Sequence, residues 1–570
     1  MKTLHLQSPQ KGFFNFMPNA PLILALIILI SSIPLFAQAP DTLYILQTTD
    51  VHGHIYPYNY YTDKPAGYGL AKAYTKICEY RKKHKNVLLI DSGDLLQGTP
   101  LAYYYDKINA TALNPLILTL NYMGYDAFTV GNHDIEQGFP VYYRAMRLSA
   151  FPWLSANAVL PDGRSFFEPY AKFNLNGIKI VVLGLTTPAI PMWLDSTLYP
   201  GIRWTDMIKT AAYWAPRLRQ NADVLVGSFH SGFEAEYSKK QTDRLGLPNE
   251  NASLLVAKEV PEFDIVFGGH SHRPLGRRGF NASHADPIKN LLIQKKHRTL
   301  LLNAGSWAKY LGVAQIILQK EKNGTYRITG MDGWLEPLKD VPPSSAILTL
   351  IQPYHNETLK YTHTPIATLT DTLSALNARW QDTAFMDLIN KAQMKWGHAD
   401  ISFAACFNDK AVIPPGKMRI KDVYQMYKYE NYLYVLKMSG QQIKDFLEYC
   451  ARYYQWKDGK LTANPQMAGY NYDMAEGIAY EIHVKNPVGQ RIKRLIDLKT
   501  GKPLNLKKIY KVAMNSYRAT GGGGHLAAAH ASNAPIIWKS DREIRNLLID
   551  YLKEMKIIKP TCNQNWKLVY

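Results

Sequence analysis

The chain is poor in cysteine, with only Cys78, Cys406, Cys450 and Cys562 in 570 residues. These lie far apart and form no Cys-x-x-Cys pair, which excludes a close-spaced zinc or dithiol motif; they read as small buried hydrophobes. Past residue 39 no apolar run reaches the roughly 20 residues that a membrane-spanning helix needs. There is no internal repeat and no low-complexity tract. Basic residues are plentiful but scattered and not striped, and no nucleic-acid motif accompanies them, which argues against a polymeric nucleic acid as partner.

What is present describes a folded globular protein, with 46% hydrophobic and 20% charged residues. Its length exceeds one compact core, so two domains are expected. Residues 1–39 read as a secretory signal: Lys2 and Lys11, an apolar run from Leu22 to Phe36, then Ala37-Gln38-Ala39 as an A-x-A cleavage site. No cysteine follows that run, so a lipid anchor is not expected. The mature chain is expected to be periplasmic or otherwise secreted, monomeric and free of the membrane. Its formal net charge of +20, lowered by two when the leader is removed, suits attraction of anionic small molecules.

Five hydrophobic runs in the first half each end in polar residues of metal-ligand type: LYILQTTDVHGH, NVLLIDSGD, AFTVGNHD, VLVGSFHSG and IVFGGHSH. The candidates are Asp50 and His52, Asp94, Asn132 with His133, His230, and His270 with His272. Any one His is most simply a structural residue. Five strand ends with matching chemistry, in order, point instead to a two-metal hydrolytic centre. Asp94 offers two carboxylate oxygens and is the natural bridge. Mixed Asp, Asn and His ligation suits Zn, Mn, Fe or Co better than Ca. Two such ions about 3.5–4 Å apart activate water and polarise a phosphoryl group.

Between these runs lie segments of helical spacing, such as Gly69 to His84, Asn114 to Met123 and Asp206 to Leu218. Strands apolar on both faces and separated by helices imply a buried α/β sheet with its ligands at the strand ends. The expected organisation is a metal domain over 40–340, a linker or hinge helix over 341–364, and a second α/β domain over 365–570.

The order D-x-H, G-D, G-N-H-D, lone His, G-H-x-H resembles the calcineurin-like metallophosphoesterases. The resemblance implies a four-layer αββα fold. It also implies that Asp50, His52 and His272 hold one metal, that Asn132, His230 and His270 hold the other, and that Asp94 bridges. His133 is then a non-ligand that stabilises phosphoryl charge or protonates the leaving oxygen. Secreted nucleotidases pair this His with an acid three residues on, as in GNHEFD; here Glu136 stands there, with Asp134 as a rival orienter or a turn residue.

The second half, around YKYENYLYVLKMSGQQIKDFLE, NPQMAGYNYD and MNSYRATGGGGH, is similar to the C-terminal domain of secreted 5′-nucleotidases. It is closer to the 2′,3′-cyclic-nucleotide 2′-phosphodiesterase/3′-nucleotidase branch. That resemblance implies a nucleotide-binding domain in which Tyr429 and Tyr517 sandwich the base. Asn431 could bond the base edge. The Thr520–Gly524 run lacks the Lys and Ser/Thr of a P-loop. Typical 5′-nucleotidases read GGDG there, the Asp engaging ribose hydroxyls, and end the last metal motif in Gln. This chain has Gly523 and His272, which fits a ribose whose 2′ and 3′ oxygens carry the scissile phosphate. The expected activity is hydrolysis of 2′,3′-cyclic nucleotides to 3′-nucleotides and then to nucleoside. The rivals are a 5′-nucleotidase or UDP-sugar hydrolase and, from a different class, a non-catalytic nucleotide-binding protein.

Overall fold

The structure is a computed structural model that describes residues 40–237, 239–278, 291–294 and 297–570. The leader segment therefore lies outside the described residues. Asp41–Thr48 pairs in parallel with Asn86–Asp91, which pairs in parallel with Ala127–Thr129, at the centre of a seven-stranded sheet. Ile178–Thr186, Val224–His230 and Ile265–Gly268 run parallel in a six-stranded sheet.

Residue alternation along these strands builds the layers, because successive side chains point to opposite faces. Leu43, Ile45, Leu88 and Ile90 meet Ile180, Val182, Val224 and Phe267 in a core between the two sheets. Leu46 and Leu89 face outward onto Leu70, Ile77, Leu116 and Leu120. Those residues belong to helices Leu70–Lys83 and Pro115–Met123. Val181 and Leu225 face outward onto Ala211, Ala215 and Val256 of helices Met207–Arg219 and Ser253–Glu259. The result is the four-layer αββα arrangement.

Helix Ser345–Thr362 follows, and its N-terminal part belongs to this first body: Ile347 and Ile351 are fully buried in its outer core. His355 stacks on Tyr56 with ring centres 4.1 Å apart and bonds the Tyr60 hydroxyl at 2.8 Å. The second α/β unit has its own core, around a five-stranded sheet that includes Ile401–Ala405, Tyr432–Ser439 and Ile509–Asn515. Helix Ala384–Gly397 covers that sheet.

The cysteines depart from expectation. Cys406 and Cys450 are buried, but Cys78 and Cys562 are exposed, and all four are free thiols. Cys78 lies on the solvent side of its helix, next to the inward-facing Ile77. Among the described residues no helix is long and apolar enough to cross a membrane.

Candidate active site

All seven expected ligands converge where the two sheets meet. Asp50, His52, Asp94 and His272 form one cluster and Asp94, His230 and His270 another, each with donor atoms within 4.8 Å of one another. Asn132 joins the second: its Oδ1 lies 3.1 Å from His230 Nε2 and 2.8 Å from His270 Nδ1. Asp94 is common to both clusters.

Local backbone geometry brings the side chains inward. Asp50, His52, Asp94, His270 and His272 all have positive φ, between 49° and 67°. Such angles are uncommon outside glycine and concentrate at functional sites, held there by surrounding structure. Asp134 supplies part of that hold, as its carboxylate accepts from the backbone N–H groups of Asp94, Leu95, Leu96 and Gly131. It is the turn residue and not the partner of His133. Gly131 is required by close approach, because a Cβ there would overlap the Asp94 carboxylate.

Hydrogen bonds fix which nitrogen each imidazole presents. His52 Nδ1 and His230 Nδ1 face the carbonyls of Gln97 and Ser92, at 2.9 and 2.7 Å, and turn Nε2 to the centre. Burial and the neighbouring His272 ring lower His52 to about 3, which keeps it neutral and able to donate a lone pair. Asp94 Oδ2 is buried without a hydrogen bond, with His230 Nε2 and His52 Nε2 at 3.2 and 3.9 Å. A buried carboxylate oxygen left unpaired amid imidazole nitrogens and an amide oxygen fits two borderline divalent cations.

His133 stands beside this centre with its ring 5.3 Å from that of His52. Its Nδ1 bonds Glu136 at 2.5 Å. Burial pulls its titration down, but the Asp94 and Glu136 carboxylates outweigh burial and raise it to about 10 in the field of the protein alone.

The centre opens into a cleft of about 500 Å³ between the two units. His133, Glu136, Trp193 and His270 line one wall, and Tyr429, Asn431, Tyr517 and Gly523 line the other. Phe407 packs edge-on against Tyr429 at 4.8 Å and 88°.

Glu250, Trp193 and Phe407 escaped the sequence reading. Phe407 follows the strand Ile401–Ala405, so strand-end position was the available signal. Glu250 had none: it precedes helix Ser253–Glu259 and reaches His270 Nε2 at 2.8 Å. Glu250→Ala is expected to weaken metal affinity by about 10- to 100-fold, since the partner of a ligating imidazole sets its orientation and basicity. A metal titration followed by calorimetry checks this.

The same architecture occurs elsewhere. Residues 43–274 match the family described as calcineurin-like phosphoesterase, and residues 365–530 match the 5′-nucleotidase C-terminal domain. The trifunctional nucleotide phosphoesterase YfkN of Bacillus subtilis is 28% identical over 96% of this chain, which spans only 40% of that protein. A 2′,3′-cyclic-nucleotide 2′-phosphodiesterase/3′-nucleotidase of Haemophilus influenzae is 28% identical over 92% of this chain and 87% of its own length. Among solved structures, a putative 5′-nucleotidase from Staphylococcus aureus shares the fold, with TM-score 0.77 and 24% identity over 93% of this chain and all of that one. The chain thus joins a calcineurin-like phosphoesterase domain to a 5′-nucleotidase C-terminal domain in one polypeptide.

Proposed function

We propose that this protein is a secreted, dimetal phosphoesterase that hydrolyses 2′,3′-cyclic nucleotides to 3′-nucleotides and these to nucleoside and phosphate. The observation that carries the reading is the cleft: Asn132 and His270 of the metal-ligand clusters, with His133 beside them, line it opposite a wall that bears Tyr429 and Tyr517 from the second domain. Asp50, His52 and His272 would hold one ion, Asn132, His230 and His270 the other, with Asp94 between. When bound, the ions supply Lewis acidity that activates water and draws charge off the phosphoryl oxygens.

The residues of the chain do the rest. Tyr429 and Tyr517 hold the base, Asn431 its edge, and the sugar lies between base and phosphate. Water loses a proton to solvent as it adds to phosphorus, the P–O2′ bond breaks, and His133, oriented by Glu136, gives its proton to the departing 2′ oxygen and is reprotonated from solvent. In the second step the leaving group is the 3′ oxygen.

Gly523 supports the cyclic or 3′ substrate. A Cβ there would overlap the Arg518 guanidinium, which is bound to Asp473 by two hydrogen bonds. No acidic side chain fits at that point to accept from free ribose hydroxyls. The resemblance to relatives named for the cyclic activity supports the same reading.

Assaying 2′,3′-cAMP, 3′-AMP and 5′-AMP side by side with Mn²⁺ tests it, and a preference for 5′-AMP would overturn it. Tyr429→Ala is expected to raise KM by about 5- to 150-fold with kcat little changed, the equivalent of one lost stacking platform. Michaelis–Menten kinetics on the cyclic substrate decides this. Product release would use a pivot between His363 and Pro365, because the preceding helix is packed into the first domain.

A further inference from the structure

The two walls of the cleft are joined by one buried polar chain. Gln137 directly follows Glu136 and ends the short helix Asn132–Glu136 that carries His133. It is 3% exposed, and its Nε2 donates to Glu430 Oε2 across the domain boundary at 3.0 Å, with His133 O at 3.5 Å. Glu430 lies between Tyr429 and Asn431, both of which line the opposite wall. Its other oxygen accepts from Arg545 Nη2 at 3.2 Å.

Arg545 is held in turn. It is 1% exposed, and its guanidinium sits over the rings of Tyr424 and Tyr103 at 4.0 and 4.6 Å. Tyr103 belongs to the first domain and bonds Glu543 of the second at 3.1 Å. Other ties between the domains, among them Asp63 with Lys421, Asp195 with Lys539 and Tyr434, Tyr61 with Gln425, and Thr520 with the carbonyls of Met192 and Trp193, involve neither the His133 helix nor the Tyr429 loop.

Glu430 is therefore a strut with one oxygen held by Arg545 and the other on Gln137 at the end of the His133 helix. We propose that the Gln137–Glu430 contact is a positioning device, through which a base seated against Tyr429 sets His133 and Glu136 for proton transfer. A seated base, touching Tyr429 on one domain while its phosphate sits at the metal centre of the other, holds the two domains in this arrangement and so keeps Glu430 on Gln137. The Gln137 side chain then fixes the C-terminal end of the helix, and with it the His133–Glu136 pair. A phosphoester without a base does not hold the domains in that arrangement, so it gains less from the contact. The proposal rests on the nucleotide reading above.

The test uses the full-length, Mn²⁺-loaded protein. Removing Glu430 would strand the Arg545 charge in the interior and endanger folding, so the change is made at Gln137, which leaves that ion pair intact. Gln137→Ala is expected to lower kcat on 2′,3′-cAMP by about 10- to 100-fold, the usual effect of misplacing a catalytic group by around an ångström, with KM within about twofold. Turnover of methyl riboside 2′,3′-cyclic phosphate, which has the same scissile bond and leaving oxygen but no base, should stay within about twofold. Gln137→Glu, which sets two carboxylates against each other, should cost the cyclic nucleotide more than the alanine change does.

Equal losses on both substrates would overturn the proposal and leave Gln137 as a structural part of the helix. So would a rise in KM at unchanged kcat, which would mean the contact only holds the domains closed. Wild-type protein that favours 5′-AMP, or that turns over no nucleotide, would instead sink the nucleotide reading whatever the variants do.

Discussion

Asp94→Asn is expected to lower kcat by about 10³-fold or more, with metal content falling from two ions per chain to one or fewer. The substitution keeps the shape and tolerates the positive φ of 62° at this position. It also leaves an oxygen to accept from the His133 backbone N–H, which Asp94 Oδ1 does at 2.8 Å. What disappears is the negative charge shared by the two clusters, which two adjacent cations need to offset their repulsion. Elemental analysis of the purified variant, alongside steady-state kinetics and circular dichroism, separates this from misfolding. A folded variant with two ions and activity within about tenfold of wild type would remove Asp94 from the bridging role.

His133→Ala is the second large effect, a fall in kcat of about 10²- to 10⁴-fold, the range found when a positioned acid or base is lost, with KM nearly unchanged. The imidazole faces the cleft and accompanies the clusters without belonging to them, and the Asp94 and Glu136 carboxylates raise its titration. Its loss should depend on the leaving group. A nucleoside alkoxide needs a proton as it departs, whereas p-nitrophenolate leaves unaided, so the deficit should shrink on bis(p-nitrophenyl) phosphate. An equal deficit on both substrates would make His133 a stabiliser of phosphoryl charge and not a proton donor. Glu136→Gln keeps a hydrogen bond to Nδ1 and should fall between wild type and the alanine variant.

The metal-ligand clusters were legible in the sequence because each sits at the end of a short apolar run, and strand ends are local in sequence. Asp50, Asp94, Asn132 and His230 could each be placed at or just beyond a strand end without knowing which strand neighbours which, or that the strands divide between two sheets. A buried α/β sheet was legible for the same reason, since strands such as NVLLID bury both faces, whereas the four-layer αββα count came from the resemblance. Features made by distant residues were not. Glu250 meets His270 only through the folding of a loop, and Glu430 meets Gln137 across 293 positions of chain. The split of cysteines into buried and exposed was missed because residue type fixes the tendency to be buried, whereas local placement decides the individual case: helix phase for Cys78, irregular chain near the C-terminus for Cys562. The linker was legible as a helix within 341–364, but its allegiance to the first domain depends on Ile347 and Ile351 fitting that core.

The left-handed backbone at Asp50, His52, Asp94, His270 and His272 also filters which mutations can survive. Apart from glycine, the residues that enter that region at little cost are Asn, Asp and His, each of which carries a donor atom suited to a metal. A saturation library at His272, screened only for expression and folding, should therefore be enriched in Asn, Asp and Gly and depleted in Val, Ile and Thr. Random drift at these loops lands mostly on another ligand, so the chain can exchange one metal preference for another without first losing its fold.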